Sequence, residues 1–384
     1  MFTTPSRAKV AAGLLAAALP AALAGQQRDW KTTLYPYVYY STIDGFWGAA
    51  HFAHYSPIGF VERPEPNYGG LTFDAAASTK GSYLVIADAE APALWTGWRA
   101  GLTLTAARAN RLGYYGLGNA TRHFSDSATA AQPYFYQVSR SVQSLRVTLQ
   151  RRVVGPVRVL AGAILQHTDY RPLPGPSVFQ RDLGSGAIAA GTVPFSDHVV
   201  RAGLIVDNRD NELDPHRGVF AEGLVARGRG YTRSTAVARV WLHPLEKFFV
   251  AARLGAERMT GTPPVAAQQV LETSEQPLVA LGGYRTLRGF YDARFTGPGK
   301  LLGGAELRYA LLWAPTVLEL KIVAFYDVGR VFGAGEPVRL TTDGLHHSGG
   351  MELAARFFRN AIVVVGYGKG SEGGQLLFGT TWSY

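Results

Sequence analysis

The sequence predicts an all-β chain, a single antiparallel transmembrane β-barrel of 16 strands, and three observations predict it. An export signal opens the chain. After it, no stretch holds 18 or more consecutive apolar residues, although aromatics make up 12% of the chain and glycines number 45. The exported part therefore has no spanning helix and carries the composition of a β protein. Apolar and polar side chains then alternate with period two, as strands set between lipid and a polar lumen require.

The signal is read from Arg7 and Lys9, the apolar run Val10 to Ala24, and the small-residue ending Ala22-Leu23-Ala24 before polar Gly25-Gln26-Gln27-Arg28-Asp29. A basic start, a short apolar stretch and a small-residue end form a secretory signal, cleaved here after Ala24. The run is short for a membrane anchor, which needs roughly 20 apolar residues. The predicted organisation is a signal peptide over 1–24 and one barrel domain over 25–384. Protein taken from membranes is expected to have an intact mass that starts at Gly25; a mass retaining Met1 to Ala24 would refute cleavage.

Composition excludes several function classes. With no cysteine, disulfides, an N-terminal lipidated Cys, thiol chemistry and Cys-based metal sites are absent. The net charge of +10 is spread singly through alternating segments rather than gathered in a basic run, which argues against nucleic acid as a partner. The histidines are dispersed, and His346-His347 reads as a solvated pair in an outer loop. No catalytic residue, cofactor or metal is predicted.

The strand pattern is sharpest in one hairpin. Leu145, Val147 and Leu149 alternate with Arg146, Thr148 and Gln150, Gly155-Pro156 makes a tight turn, and Val157, Val159, Ala161, Ala163 and Leu165 return. At the C-terminus, Leu376, Phe378, Thr380, Trp382 and Tyr384 form one face of a last strand that runs to the chain end. Strands are predicted near 33–41, 46–54, 68–77, 82–89, 95–107, 140–153, 157–167, 198–208, 219–228, 235–243, 248–258, 303–314, 317–328, 348–358, 361–370 and 375–384. An even count puts both ends on the periplasmic side. Short turns follow at Glu90-Ala91-Pro92, Gly155-Pro156, Pro244-Leu245-Glu246 and Ala314-Pro315, and long outer loops near 108–135, 168–197, 259–302 and 329–347.

The longest connection contains Leu281-Gly282-Gly283-Tyr284-Arg285-Thr286-Leu287-Arg288-Gly289-Phe290. This resembles the lid-loop motif V-R-G-[FY] of the BamA/TamA/FhaC outer-membrane assembly and secretion superfamily, the bacterial surface antigen barrels, with Leu287 in place of Val. The resemblance implies that the loop after the eleventh strand folds back into the lumen and that Arg288 pairs with carboxylates on the walls of the next two strands. Glu306 and Asp327 stand at those places. A guanidinium fork binds carboxylates bidentately and stays charged when buried, and Gly289 permits a sharp tip next to Phe290.

A second block, Asp207 to Gly218, resembles D-x-R-D-x-x-x-D-P-x-x-G and implies a periplasmic turn between strands eight and nine. Asp214, Pro215 and Gly218 suit a turn; a Ca²⁺ site from Asp207, Asp210 and Asp214 lacks the spacing of a calcium loop. Tyr115-Gly116-Leu117-Gly118-Asn119 is similar to an outer-loop motif of surface-antigen barrels, and Thr79-Lys80-Gly81 to the turn between strands three and four. Gly379-x-x-Trp382-x-Tyr384 resembles the C-terminal signal read by the outer-membrane barrel assembly machinery.

The resemblance implies an outer-membrane translocase or insertase for protein or lipid, with a lateral seam between its first and last strands. It lacks the periplasmic POTRA repeats of those relatives, since only residues 25 to about 31 precede the first strand. Implied partners are outer-membrane lipid, the assembly machinery for its own biogenesis and a protein or lipid cargo, in a monomer or homodimer. The alternatives are a plugged pore or surface-binding structural barrel, and a barrel-borne hydrolase. The last finds no G-x-S-x-G nucleophile elbow.

Overall fold

The computed structural model describes residues 29–384 except 42, 60–62, 125–126, 130, 190, 315–316 and 359–360. The predicted signal peptide lies outside the described residues, as does Pro315 of the predicted Ala314-Pro315 turn. Among the described residues no helix is long and apolar enough to cross a membrane, and the architecture is one of strands. Sixteen of them form one antiparallel sheet, the wall of a β-barrel.

The wall is built from β1 (Lys31–Ser41), β2 (Gly45–Pro57), β3 (Asn67–Ser78), β4 (Tyr83–Trp95), β5 (Trp98–Gly113), β6 (Gln137–Val154), β7 (Val157–Pro172), β8 (Phe195–Asp207), β9 (Gly218–Gly228), β10 (Tyr231–Leu245) and β11 (Phe248–Gly261). It continues through β14 (Gly299–Ala314), β15 (Leu318–Phe332), β16 (His346–Phe357), β17 (Ala361–Gly370) and β18 (Gly373–Gly379). Each strand pairs with its neighbour in sequence, and β11 pairs with β14 across a long insertion. A short helix, α1 (Val178–Gly184), sits in the β7–β8 loop; the insertion holds α2 (Val265–Gln268) and the small hairpin β12 (Val270–Leu271) with β13 (Leu278–Val279).

Alternation decides what each wall residue faces. Along β10, Arg233, Thr235, Val237, Arg239 and Trp241 are buried in the interior, while Ser234, Ala236, Ala238 and Leu242 are exposed outside. Leu204, Leu254, Leu307, Met351 and Val365 continue the outer apolar surface, and the inner face carries the arginines and carboxylates.

Three details depart from the sequence expectation. Glu90-Ala91-Pro92 lies within β4, and the chain reverses at Thr96-Gly97, where Gly97 has φ +70. The ladder slips between Ala91 and Trp95, which accommodates a proline that has no N–H to donate. Likewise β10 runs through Pro244 to Leu245 with a register shift, so the turn is Glu246-Lys247. The third departure is the last strand, which ends at Gly379 rather than Tyr384. Leu376 and Phe378 face outward at 88% and 67% exposure, whereas Trp382 and Tyr384 are each 5% exposed. The tail has turned into the barrel.

Candidate functional site

The connection from β11 to β14 fills much of the lumen. Its apolar residues Leu271, Leu278, Leu281, Leu287, Phe290 and Phe295 join Val237 of β10, Leu302 of β14 and Val331 of β15 in one buried cluster. Hydrophobic burial therefore seats the connection against the wall, and its polar residues are left to make specific contacts.

Arg288 makes most of them. Its Nε and Nη2 fork onto Asp327 at 2.8 and 2.9 Å, and Nη1 donates to Glu306 Oε1 at 2.6 Å and to Ser383 Oγ at 3.2 Å. Nη1 also lies 3.3 Å from both oxygens of Glu352, and the guanidinium stacks 3.7 Å over the Phe325 ring. Arg288, Glu306 and Asp327 have no solvent exposure. Burial opposes the charge on Arg288, but Asp327 and Glu306 outweigh it and hold the guanidinium protonated far above its ordinary range. Two further arginines complete the balance: Arg308 pairs with Glu306, and Arg253 with Asp327 at 3.2 Å. Three guanidinia thus face three carboxylates.

The strand ladders explain why these groups meet. Asp327 stands opposite Gly304, where a Cβ would come within 2.7 Å of its carboxylate and 3.2 Å of Arg253 Nε. Glu306 is two residues further along the same inner face. Glu352, on the next strand, was not singled out from sequence, although its alternation in Met351-Glu352-Leu353 would have placed it inward. Gly289 serves close approach rather than an unusual dihedral: a Cβ there would meet the backbone of Lys369 and Gly370 at 2.4 and 2.5 Å. Leu287 and Phe290 flank the arginine as members of the apolar cluster.

The C-terminal tail closes this site from below. Ser383 Oγ donates to Glu306 Oε1 at 2.6 Å, Trp382 Nε1 donates to Asp214 Oδ1 at 2.7 Å, and Arg253 lies 4.3 Å over the Tyr384 ring. Tyr284 of the connection packs against Gly379, where a Cβ would meet its ring at 2.4 Å, and its hydroxyl donates to Thr381 O at 2.7 Å. Trp382 and Tyr384 were expected on one face of the last strand with Leu376 and Phe378; both instead contact the interior network.

The β8–β9 turn, 208–217, holds Asp214 and Pro215 with Gly218 at its end, φ +119. It is more than a turn, because Asp214 is 1% exposed and points into the lumen. There it meets Arg356 Nε at 2.7 Å and Lys321 Nζ at 3.4 Å. Asp207 is taken by Arg158 and Arg209, and Asp210 accepts from the backbone N–H groups of His216 and Arg217. Asp214, His216 and Glu319 bring three metal-ligand atoms within 4.8 Å of one another. Lys321 Nζ, 2.7 Å from Glu319, and Arg356 already neutralise the two carboxylates, so the group lacks the spare negative charge a divalent ion needs. Burial works against protonation of His216, but Asp214 raises its pKa.

Other expected motifs also find places. Asn119 of the Tyr115–Asn119 segment accepts from Val331 N and donates to Gly344 O, tying the β5–β6 loop to the β15–β16 loop. Thr79, Lys80 and Gly81 form the β3–β4 turn. His346 and His347 begin β16 rather than occupying a loop: His346 stacks on Phe295 at 3.6 Å, while His347 meets Tyr326 Oη at 2.8 Å. Neighbours on a strand point to opposite faces, so the two imidazoles share no ligand.

Comparison with known proteins agrees with this architecture. A search of curated proteins returned no match. Among solved structures, the chain is similar to that of BamA from Haemophilus ducreyi lacking POTRA domains 1–3, at TM-score 0.56 and 12% identity, over 92% of this chain and 69% of that one. It is also similar to CdiB from Escherichia coli, at TM-score 0.55 and 10% identity, over 89% of this chain and 58% of that one. These likenesses show the fold. Residues 90–368 match the Omp85 superfamily domain, and the chain belongs to the Omp85 superfamily.

Proposed function

We propose that this chain is an outer-membrane insertase or translocase whose cargo is a polypeptide, and that the β11–β14 connection is its lid. The observation that carries the reading is the seating of that connection: one buried arginine gathers carboxylates from β14, β15 and β16. Its other arm sets Glu275 against Arg209 and Arg239, each at 2.8 Å. Burial would raise the Glu275 carboxyl, but Arg209 and Arg239 hold it well below its ordinary range. These separate ionic contacts hold the connection seated, the closed position of the proposed lid.

The edge strands support a polypeptide over a lipid. β18, with 7 residues, is the shortest strand of the wall, and beyond it the tail leaves the sheet. β1 carries Pro36, which cannot donate to a ladder. Unpaired backbone groups at such edges recognise an incoming strand. The function proposed is not enzymatic.

The test is a deletion strain complemented with the wild-type gene or with the Arg288→Ala variant. Loss of one or a few polypeptides from the outer membrane or the medium, restored only by wild type, is the expected result. A change confined to lipid composition would replace polypeptide by lipid as the cargo. Normal protein and lipid content, with loss only of surface binding or conductance, would favour the plugged or surface-binding barrel instead.

A further inference from the structure

A second charged cluster lies in the lumen, away from Arg288. β12 ends at Leu271, and the next residue, Glu272, points at the inner wall of β6, β8 and β10. Its carboxylate receives Arg146, Arg201 Nη1 at 2.8 Å and Arg233 Nη1 at 3.3 Å. A fourth arginine, Arg140 of β6, meets neutral groups, the Gln269 oxygen at 3.4 Å and the Tyr170 hydroxyl. All four guanidinia line one cavity of about 160 Å³, roughly ten times the room one water needs.

The charges around this space do not balance. Four arginines face Glu272 and one other carboxylate, Asp197, whose oxygens are already taken by Tyr231 Oη and the Arg229 backbone N–H, both at 2.8 Å. Glu257, 3.5 Å from Arg233 Nε, is paired with Lys300 at 2.6 Å. With Glu222, whose buried carboxylate also acts on Arg201, the count is five cations against four carboxylates, an excess of one. Donors are also left over: Nε of Arg140 and Nε of Arg201 have no hydrogen-bond acceptor, and the Arg201 side chain is wholly buried. Gly162 keeps room for that guanidinium, since a Cβ there would come within 3.0 Å of Arg201 Nε.

We propose that this cavity binds an oxyanion of the phosphate class, held by Arg140, Arg201 and Arg233 beside Glu272. A phosphate-class oxyanion supplies negative charge where cations are in excess and acceptors for the unmatched donors, since planar guanidinium forks donate to its oxygens in pairs. Arg146 keeps 16% of its side-chain surface exposed, which leaves a way in from the open part of the lumen. The bound group bridges three wall strands to the segment after β12, so it holds the first arm of the β11–β14 connection. This site stands independently of the cargo, because neither its charge count nor its cavity depends on what crosses the barrel.

The ligand source is either a soluble phosphate or a phosphorylated lipid headgroup, and two measurements separate them. The full chain, purified in detergent, is titrated with inorganic phosphate at ionic strength held constant with chloride; saturable binding and protection of the connection from protease are expected. The same chain in nanodiscs of phosphatidylcholine is compared with nanodiscs containing phosphatidic acid, and protection by that lipid alone would assign the site to a headgroup. Arg140→Ala is the decisive variant, because Arg140 makes no contact with Glu272. It should weaken binding of whichever probe binds at least tenfold while the barrel stays heat-modifiable on gels. Arg201→Gln should do the same more strongly. Absence of saturable binding by either probe, or binding that both variants leave unchanged, would overturn the proposal.

Discussion

Replacing Arg288 with alanine is expected to release the β11–β14 connection from the lumen while the barrel stays folded. The substitution removes one cation from a dry network and leaves buried carboxylates behind, a change that costs about 3–5 kcal/mol. Arg253 and Arg308 remain beside Asp327 and Glu306, so the lower end, about 3 kcal/mol, applies. At about 1.4 kcal/mol per factor of ten, the balance between seated and released states moves by roughly two powers of ten. The wall ladders do not pass through Arg288 and are untouched. Arg288→Lys should restore little, because one ammonium cannot fork onto Asp327 and reach Glu306 together. Limited proteolysis and planar-bilayer conductance read the outcome, with heat-modifiable migration as the control for folding. Unchanged protection and conductance would mean that apolar contacts such as those of Leu287 and Phe290 alone seat the connection.

Much of this barrel was legible in the sequence because lipid and lumen impose alternation on every strand. Runs such as Leu145 to Gln150 report that alternation directly, and sixteen predicted strands each overlap a strand of the wall. The long connections were legible for a related reason: loops interrupt the pattern with glycine and proline. What failed depends on contacts between distant segments. Leu376, Phe378, Thr380, Trp382 and Tyr384 alternate without a break, so nothing local marks the inward turn. That turn is set by Tyr284, which occupies the space beside Gly379, almost a hundred residues away. The arginines around Glu272 lie on β6, β8 and β10, and no spacing within the connection reveals them. Asp214 reads locally as a turn residue, and only the folded chain brings Trp382, Lys321 and Arg356 to it.

Trp382→Ala is expected to loosen the tail and the lower end of β18. The indole packs with Val323, Ala354, Ile362 and Val364, and Arg308 lies 3.9 Å over its ring. Truncating a buried aromatic of this size costs about 3–5 kcal/mol. Asp214 loses its indole donor but keeps Lys321 and Arg356, so no carboxylate is stranded and the lower part of that range applies. The remaining anchors lie to either side of Trp382: the Tyr284 hydroxyl on Thr381, and Ser383 and Tyr384, which meet Glu306, Arg288, Arg253 and Arg308, at about 1–3 kcal/mol each. Those at the chain end keep the tail inside, so the loosening falls on the segment between β18 and Ser383. Deleting Tyr384 alone should do less, since its hydroxyl has no hydrogen-bond partner, although its ring packs with Trp241 and Phe220 and lies under Arg253. If the tail is structural, the assembled Trp382→Ala protein melts several degrees lower and the amides of β18 exchange faster with solvent. If the aromatic end serves recognition during assembly instead, the yield in the membrane falls while the assembled fraction melts and exchanges as wild type does. A drop in both would show that the residues which report a finished strand during assembly are later drawn inside to lock it.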